Sequence, residues 1–253
     1  MKSLDEVKAT ASSVVLAPMS VPKASEILAN ELRERILSGD FPPGTRLPAE
    51  RELVVQTQFS RATVREALRT LEVQGLLEIK LGRGGGAFVC TPGARAVEDS
   101  VALLIRGRSV RLDALLETRE AIEPHCAALA AARRDDKDVS RMLDANKAMG
   151  QSAGNLSSFL EANLSWHVAV ANASRNELLI AFMGAISPAI YHSTENNTFV
   201  DDEVEVSTVK AHEAVTQAIA DGDAAAASRR MQRHVHAFAA GILQVDSRPV
   251  VEF

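Results

Sequence analysis

The segment from Ser60 to Gly75 restricts the fold of this chain more than any other. Val64, Ala67, Leu68 and Leu71 recur at i, i+3, i+4 and i+7, the spacing that lines apolar side chains along one face of an α-helix. Ser60 stands before the stripe as an N-cap, Gln74-Gly75 closes it, and Arg61, Arg65 and Arg69 fall on the opposite face. A short amphipathic helix of this kind is not stable alone. It needs other elements against its apolar side, and its arginines need solvent or an anionic partner.

The flanking sequence supplies those elements. Upstream, Ile27, Leu28, Leu32, Ile36 and Leu37 recur at helical spacing between Ala24 and Ser38, and Gly39 stands where a C-terminal cap would be. Phe41-Pro42-Pro43-Gly44 reads as a turn, and Pro48, at a first helical position, starts a second helix through Gln56. Downstream, Leu76 to Leu81 and Ala87 to Cys90 read as two short strands around Gly82-Arg83-Gly84-Gly85-Gly86, a β-hairpin with a glycine-rich tip. Three helices followed by a hairpin is the order of a winged helix-turn-helix.

A length of 253 residues fits two domains. Residues 1–21 are small, polar and aperiodic and read as a flexible tail, and Thr91-Pro92-Gly93 marks a boundary between a DNA-binding unit over 22–92 and a second domain over 93–253. Beyond that boundary the period is helical throughout, near 97–107, 112–133, 135–150, 155–173, 176–193, 204–220 and 223–244, which predicts an all-α bundle of six or seven helices and a mostly α protein. Cys90 and Cys126 form neither a disulfide framework nor a zinc ribbon, and no apolar stretch approaches the ~20 residues that span a bilayer, so a cytoplasmic protein is expected. Between Pro22 and Pro92 there are ten Lys/Arg against nine Asp/Glu, so any DNA binding rests on where the charges sit.

Three motifs carry a resemblance. Leu47-Pro48-Ala49-Glu50-Arg51-Glu52-Leu53, then Ser60-Arg61-Ala62-Thr63-Val64-Arg65-Glu66-Ala67-Leu68, then Gly82-Arg83-Gly84, together resemble the DNA-binding domain of the GntR family. The second domain resembles the FCD ligand-binding domain of the FadR subfamily through Arg119-Glu120-Ala121-Ile122-Glu123-Pro124, Asn163-Leu164-Ser165-Trp166-His167, Arg175-Asn176-Glu177-Leu178-Leu179, Ala211-His212-Glu213-Ala214-Val215 and His234. The family usually has glycine in the turn before the third helix, where this chain has Thr57-Gln58-Phe59. A non-glycine in a left-handed conformation there costs about 1 kcal/mol.

The resemblance implies a transcription regulator that binds double-stranded operator DNA as a homodimer and, as a repressor, releases it on binding a small organic-acid or sugar-acid effector. Arg61 and Arg65, with Ser60 and Ala62, occupy the helix end that meets base edges in the major groove, and arginine's fork can hold O6 and N7 of guanine together. By resemblance Arg51 supports the same surface. Gly82 and Arg83 form a wing tip suited to a narrow groove or the backbone. The bland alternative is a solvated helix face paired with Glu66 and Glu72.

In the second domain the resemblance implies that His167, His212 and His234 hold a divalent transition metal, zinc or else nickel or a similar ion. Asn163, where relatives carry aspartate, would offer a neutral carbonyl oxygen as fourth ligand, and Arg119 would pair with an anionic effector carboxylate or, as the bland alternative, with a glutamate of the bundle. His236, His125 and His192 lack motif support, and Trp166 and Leu164 read as core. Two other functions compete. One is a regulator with a metal-free organic pocket of the fatty-acyl type. The other is a metal-dependent hydrolase, for which no acid-base partner such as His-Glu-x-x-His is found.

Overall fold

The computed structural model describes residues 21–82, 84–91, 93–152, 154–195 and 200–245. The tail over 1–20, the wing residue Arg83, Pro92 of the boundary tripeptide and the break at Asn196-Asn197 lie outside them. The chain divides into two compact units, Met1–Thr91 and Pro92–Phe253.

The first unit contains α1 (Ala24–Leu37), α2 (Glu50–Thr57) and α3 (Arg61–Val73), followed by the antiparallel pair β1 (Leu77–Lys80) and β2 (Gly86–Val89), with Leu77 opposite Val89 and Lys80 opposite Gly86. The stretch before α2 joins this sheet. Arg46 bridges Phe88, Leu47 N–H donates to the Ala87 carbonyl at 2.8 Å, and Val89 N–H donates to the Thr45 carbonyl at 2.8 Å. The stripe Val64, Ala67, Leu68 and Leu71 is buried against Leu28, Leu32, Ile36, Leu53, Leu77 and Val89. This is a winged helix-turn-helix.

Three local readings are corrected. Of the five apolar positions expected to line α1, Leu28, Leu32 and Ile36 are buried, at i, i+4 spacing, while Ile27 and Leu37 face solvent. Pro48 is not the first residue of α2: Ala49 is the N-cap, and its N–H donates to the Glu52 carboxylate at 2.9 Å, so the helix starts where that reciprocal cap can form. The strands differ too: β1 is shorter than expected at both ends, and β2 keeps its expected length but begins one residue earlier, at Gly86. At the tip, a Cβ on Gly85 would meet the Lys80 carbonyl oxygen at 2.2 Å, so the hairpin can close only over a glycine.

The second unit is a bundle of seven described helices: α4 (Ala94–Arg108), α5 (Leu112–Arg133), α6 (Asp136–Gly150), α7 (Leu156–Ala173), α8 (Glu177–Thr194), α9 (Asp202–Asp221) and α10 (Ala224–Val245). Asn155, Asn176 and Asp201 cap α7, α8 and α9 through their side chains, and Gly222, at φ 77°, ends α9. α5 packs along α10, α6 along α7, α4 along α8, and α9 along α10. Trp166, Met142, Met183, Met231, Ile219 and Ile242 fill the centre of the core. The packing brings α5, α7, α9 and α10 together around one polar cluster.

Candidate nucleic-acid interface and metal centre

In the first unit, the Ser60 hydroxyl accepts the Thr63 N–H at 3.1 Å and contacts the Thr63 hydroxyl at 2.8 Å. Its oxygen therefore serves the cap. The preceding turn bends through Gln58 in the left-handed conformation at φ 59°, where the sequence offers no glycine. Arg61, Ala62 and Arg65 are exposed on the outer face of α3, and Arg51 is exposed on α2. Arg65 Nε donates to Glu50 Oε2 at 2.9 Å, a partner from the neighbouring helix in place of the expected Glu66 or Glu72. An ion pair this exposed contributes at most about 1 kcal/mol and is easily exchanged for a phosphate or a base. Arg61 makes no ion pair or side-chain hydrogen bond among the described residues. Gly82 lies at the hairpin tip with φ 91°.

In the second unit, His167 comes from α7, His212 from α9 and His234 from α10. All three are buried, and ligand nitrogens from the three lie within 4.8 Å of one another. His234 Nε2 stands 3.0 Å from His212 Nε2 and 3.4 Å from His167 Nε2. The His212 Nδ1 is buried without a hydrogen-bond partner. Asn163, one turn before His167, is also buried. His236 is exposed, its Nδ1 3.0 Å from Glu120, and takes no part, while His125 is exposed on α5.

Sequence reasoning gave two groups no part in the site. Glu123, one turn after Arg119 on α5, is buried; one of its oxygens accepts Arg119 Nε–H at 2.5 Å and the other makes a short contact with His167 Nδ1. Arg119 Nη2 in turn lies 3.0 Å from His167 Nε2, and the guanidinium sits 5.3 Å from the centre of the Phe238 ring. Thus, of the two partners expected for Arg119, an effector carboxylate or a glutamate of the bundle, the glutamate is the one in place. The second group is Trp166, whose ring stacks on His212 at a centroid distance of 3.6 Å and an interplanar angle of 10°, while its N–H donates to Thr216 Oγ1 at 3.0 Å. Glu123 had a weak signal in its i+4 spacing from Arg119. The Trp166 stacking had none.

Burial raises the Glu123 carboxyl, but the opposing charges of Arg119 and His167 outweigh it and hold the group well below the usual carboxylate range. Burial, above all, lowers all three imidazoles. Glu123 opposes this at His167, Arg119 and the neighbouring histidines reinforce it at His212, and His234 falls to about 3. Burial and the Glu123 charge push the Cys126 thiol up to about 12, so it offers no thiolate. The donor set is three neutral imidazoles, which suits a borderline divalent cation, and the carboxylate behind His167 is the outer support that metal-binding histidines commonly have.

These lowered values have a consequence for stability. Folded histidines that protonate below the unfolded value of about 6.5 bind fewer protons than the unfolded chain, so stability is full above that pH and falls as pH drops toward 3. Each buried histidine contributes up to about 1.4 kcal/mol per pH unit in that window. Urea unfolding of chelator-treated protein should show a lower midpoint at pH 5.5 than at pH 7.5. Equal midpoints would contradict burial of neutral histidines.

A cleft of about 480 Å³ between α9 and α10 is lined by Ser207, Thr208, Arg230, Arg233, His234 and Phe238, among others. It reaches the cluster at His234. No described helix is long and apolar enough to cross a membrane.

Comparison with known proteins gives two family matches. Residues 24–89 match the family described as bacterial regulatory proteins, gntR family, and residues 114–237 match the FCD domain. The chain is 32% identical over 204 residues to the HTH-type transcriptional regulator LutR of Bacillus subtilis (strain 168), covering 79% of this chain and 92% of that protein. It is 32% identical over 214 residues to the galactonate operon transcriptional repressor of Escherichia coli (strain K12), covering 82% and 92%. Among solved structures, Streptococcus agalactiae GntR is similar with a TM-score of 0.59 at 22% identity, covering 85% of this chain and 99% of that one, a likeness of fold.

Proposed function

Because the chain belongs to the GntR family of bacterial regulatory proteins, with an FCD domain behind its winged helix, and is therefore a DNA-binding transcriptional regulator rather than an enzyme, we propose that it is a metal-containing repressor released from its operator by a small carboxylate. The observation that carries the metal is the convergence of three buried imidazoles whose ligand nitrogens lie within 4.8 Å. His167, His212 and His234 would hold a zinc or nickel ion, with Asn163 offering a neutral oxygen. The ion, when bound, supplies positive charge for an anion to meet. The cleft at His234 is the route by which an effector reaches it, and a relative named for the galactonate operon supports a hydroxy or sugar acid.

On the DNA side, Arg61 and Arg65 read bases from the capped start of α3. Ser60 and Ala62 set the approach of the helix, Arg51 holds the backbone, and Gly82 with Arg83 touches the neighbouring groove. A homodimer is proposed because one winged helix contacts too little DNA for specificity, and paired half-sites double the contact. Effector binding must favour one of two dimer arrangements to act at all, and the arrangement it favours binds the operator less well.

The test is Arg61→Ala against an operator selected from random-sequence DNA by the wild-type protein. Loss of about 1–3 kcal/mol, roughly 5- to 150-fold in Kd, with relaxed base preference in each half-site, is expected. Arg83→Ala should lose less. Unchanged affinity and preference for Arg61→Ala in a salt titration would place base readout elsewhere.

A further inference from the structure

Resting on the metal reading above, we propose that Arg119 is an internal competitor for the metal site, so that the cluster holds a divalent cation weakly alone and tightly only beside a bound anion. The geometry of His167 leads there. Its Nδ1 faces the Glu123 carboxylate, which can only accept, so the ring's proton sits on Nδ1 and its one lone pair on Nε2. Nε2 is the atom that faces His234, at 3.4 Å, and it is the atom a metal would use. It is already engaged, because the Arg119 guanidinium donates to it through Nη2 at 3.0 Å. A permanent cation stands on the lone pair that an incoming cation needs.

Arg119 has little freedom to leave. It is buried, tied through Nε to Glu123 one turn away on the same helix, and lies over the Phe238 ring. A metal entering the cluster would displace Nη2 alone and leave the positive charge nearby. The charges make the same point. Arg119 and Glu123 cancel, the three imidazoles are neutral, and the candidate metal group contains no carboxylate. A divalent ion therefore brings two uncompensated positive charges into a buried site. An anion on that ion would balance the charge and accept from the Arg119 N–H that has lost His167 as its acceptor, so metal and anion each strengthen the other's binding by the same factor. A merely structural Arg119 predicts the reverse for its removal, a loosened cluster with weaker metal binding.

Zinc titrations of the full chain in competition with a chromophoric chelator test this, with acetate as the anion probe. Arg119→Gln is expected to bind zinc at least ten-fold more tightly than wild type without acetate. Arg119→Lys, which keeps the charge, should stay near wild type. Acetate should raise the zinc affinity of wild type and have less effect on Arg119→Gln. Should Arg119→Gln fail to fold, the acetate dependence of wild type decides, and an unchanged affinity overturns the proposal. Folded Arg119→Gln that binds zinc no better than wild type overturns it too, while leaving the metal site standing if His212→Ala has lost zinc. If His212→Ala binds zinc as wild type does, the metal reading itself fails and this inference falls with it.

Discussion

Replacing Glu123 with alanine is expected to destabilise the helical unit by about 3–5 kcal/mol, the cost of leaving one member of a buried ion pair unpartnered. Glu123 accepts from Arg119 at 2.5 Å and from His167 on its other oxygen, and both partners are themselves buried. Without it the guanidinium keeps its charge, since arginine does not deprotonate in proteins, and His167 loses the group that fixes its tautomer. Glu123→Gln keeps an acceptor for the arginine and should lose less. Urea unfolding of metal-free protein, followed by far-ultraviolet circular dichroism, measures both. A Glu123→Ala midpoint equal to wild type would mean that the triad contributes nothing to folding.

Zinc at a hundred times its Kd is expected to stabilise the wild-type helical unit by about 2.7 kcal/mol, and His212→Ala should abolish that gain with more than about 100-fold loss of metal affinity. His212 is fully buried, and its Nε2 lies 3.0 Å from that of His234. Because it also stacks on Trp166, its removal opens a cavity, so the informative quantity is the difference with and without zinc rather than the unfolding midpoint alone. Asn163→Asp adds a negative charge one turn before His167 and should tighten zinc. The DNA-binding unit, with its own core, should stay folded in both variants. Wild-type protein without bound divalent metal by elemental analysis and calorimetry at neutral pH, together with a normal effector response from His212→Ala, would replace the metal site with an organic pocket.

How far these features could be read without coordinates depended on sequence separation. The α3 stripe and its Ser60 cap are local, set by neighbours within one or two helical turns, and both were legible, whereas the left-handed turn, which falls on Gln58, was signalled by the glycine that the family usually has there. Where local reading failed, a nearby polar group had intervened: the Glu52 cap moved the start of α2 past Pro48, and Glu50 took Arg65. The three histidines were found through motif resemblance, since nothing local brings together positions from α7, α9 and α10. Glu123 and His167 are 44 residues apart, and Trp166 and Thr216 are 50 apart. Such pairs depend on how whole helices pack, a property no short window contains. The pairing of Arg119 with a glutamate was among the readings the sequence allowed, since Glu123 lies four residues away on the same helix, whereas its contact with His167, 48 residues away, was not.

The tryptophan against His212 also has a practical side. It is the chain's single tryptophan, and it sits in the helical unit with its indole flat against one of the clustered imidazoles. Its emission therefore comes from one locus and carries no contribution from the winged helix. A metal ion, a proton or an effector arriving there would be followed by intrinsic fluorescence in the unlabelled chain while it rests on DNA, so that occupancy of the cluster and the release of DNA proposed above would be timed against each other in one sample.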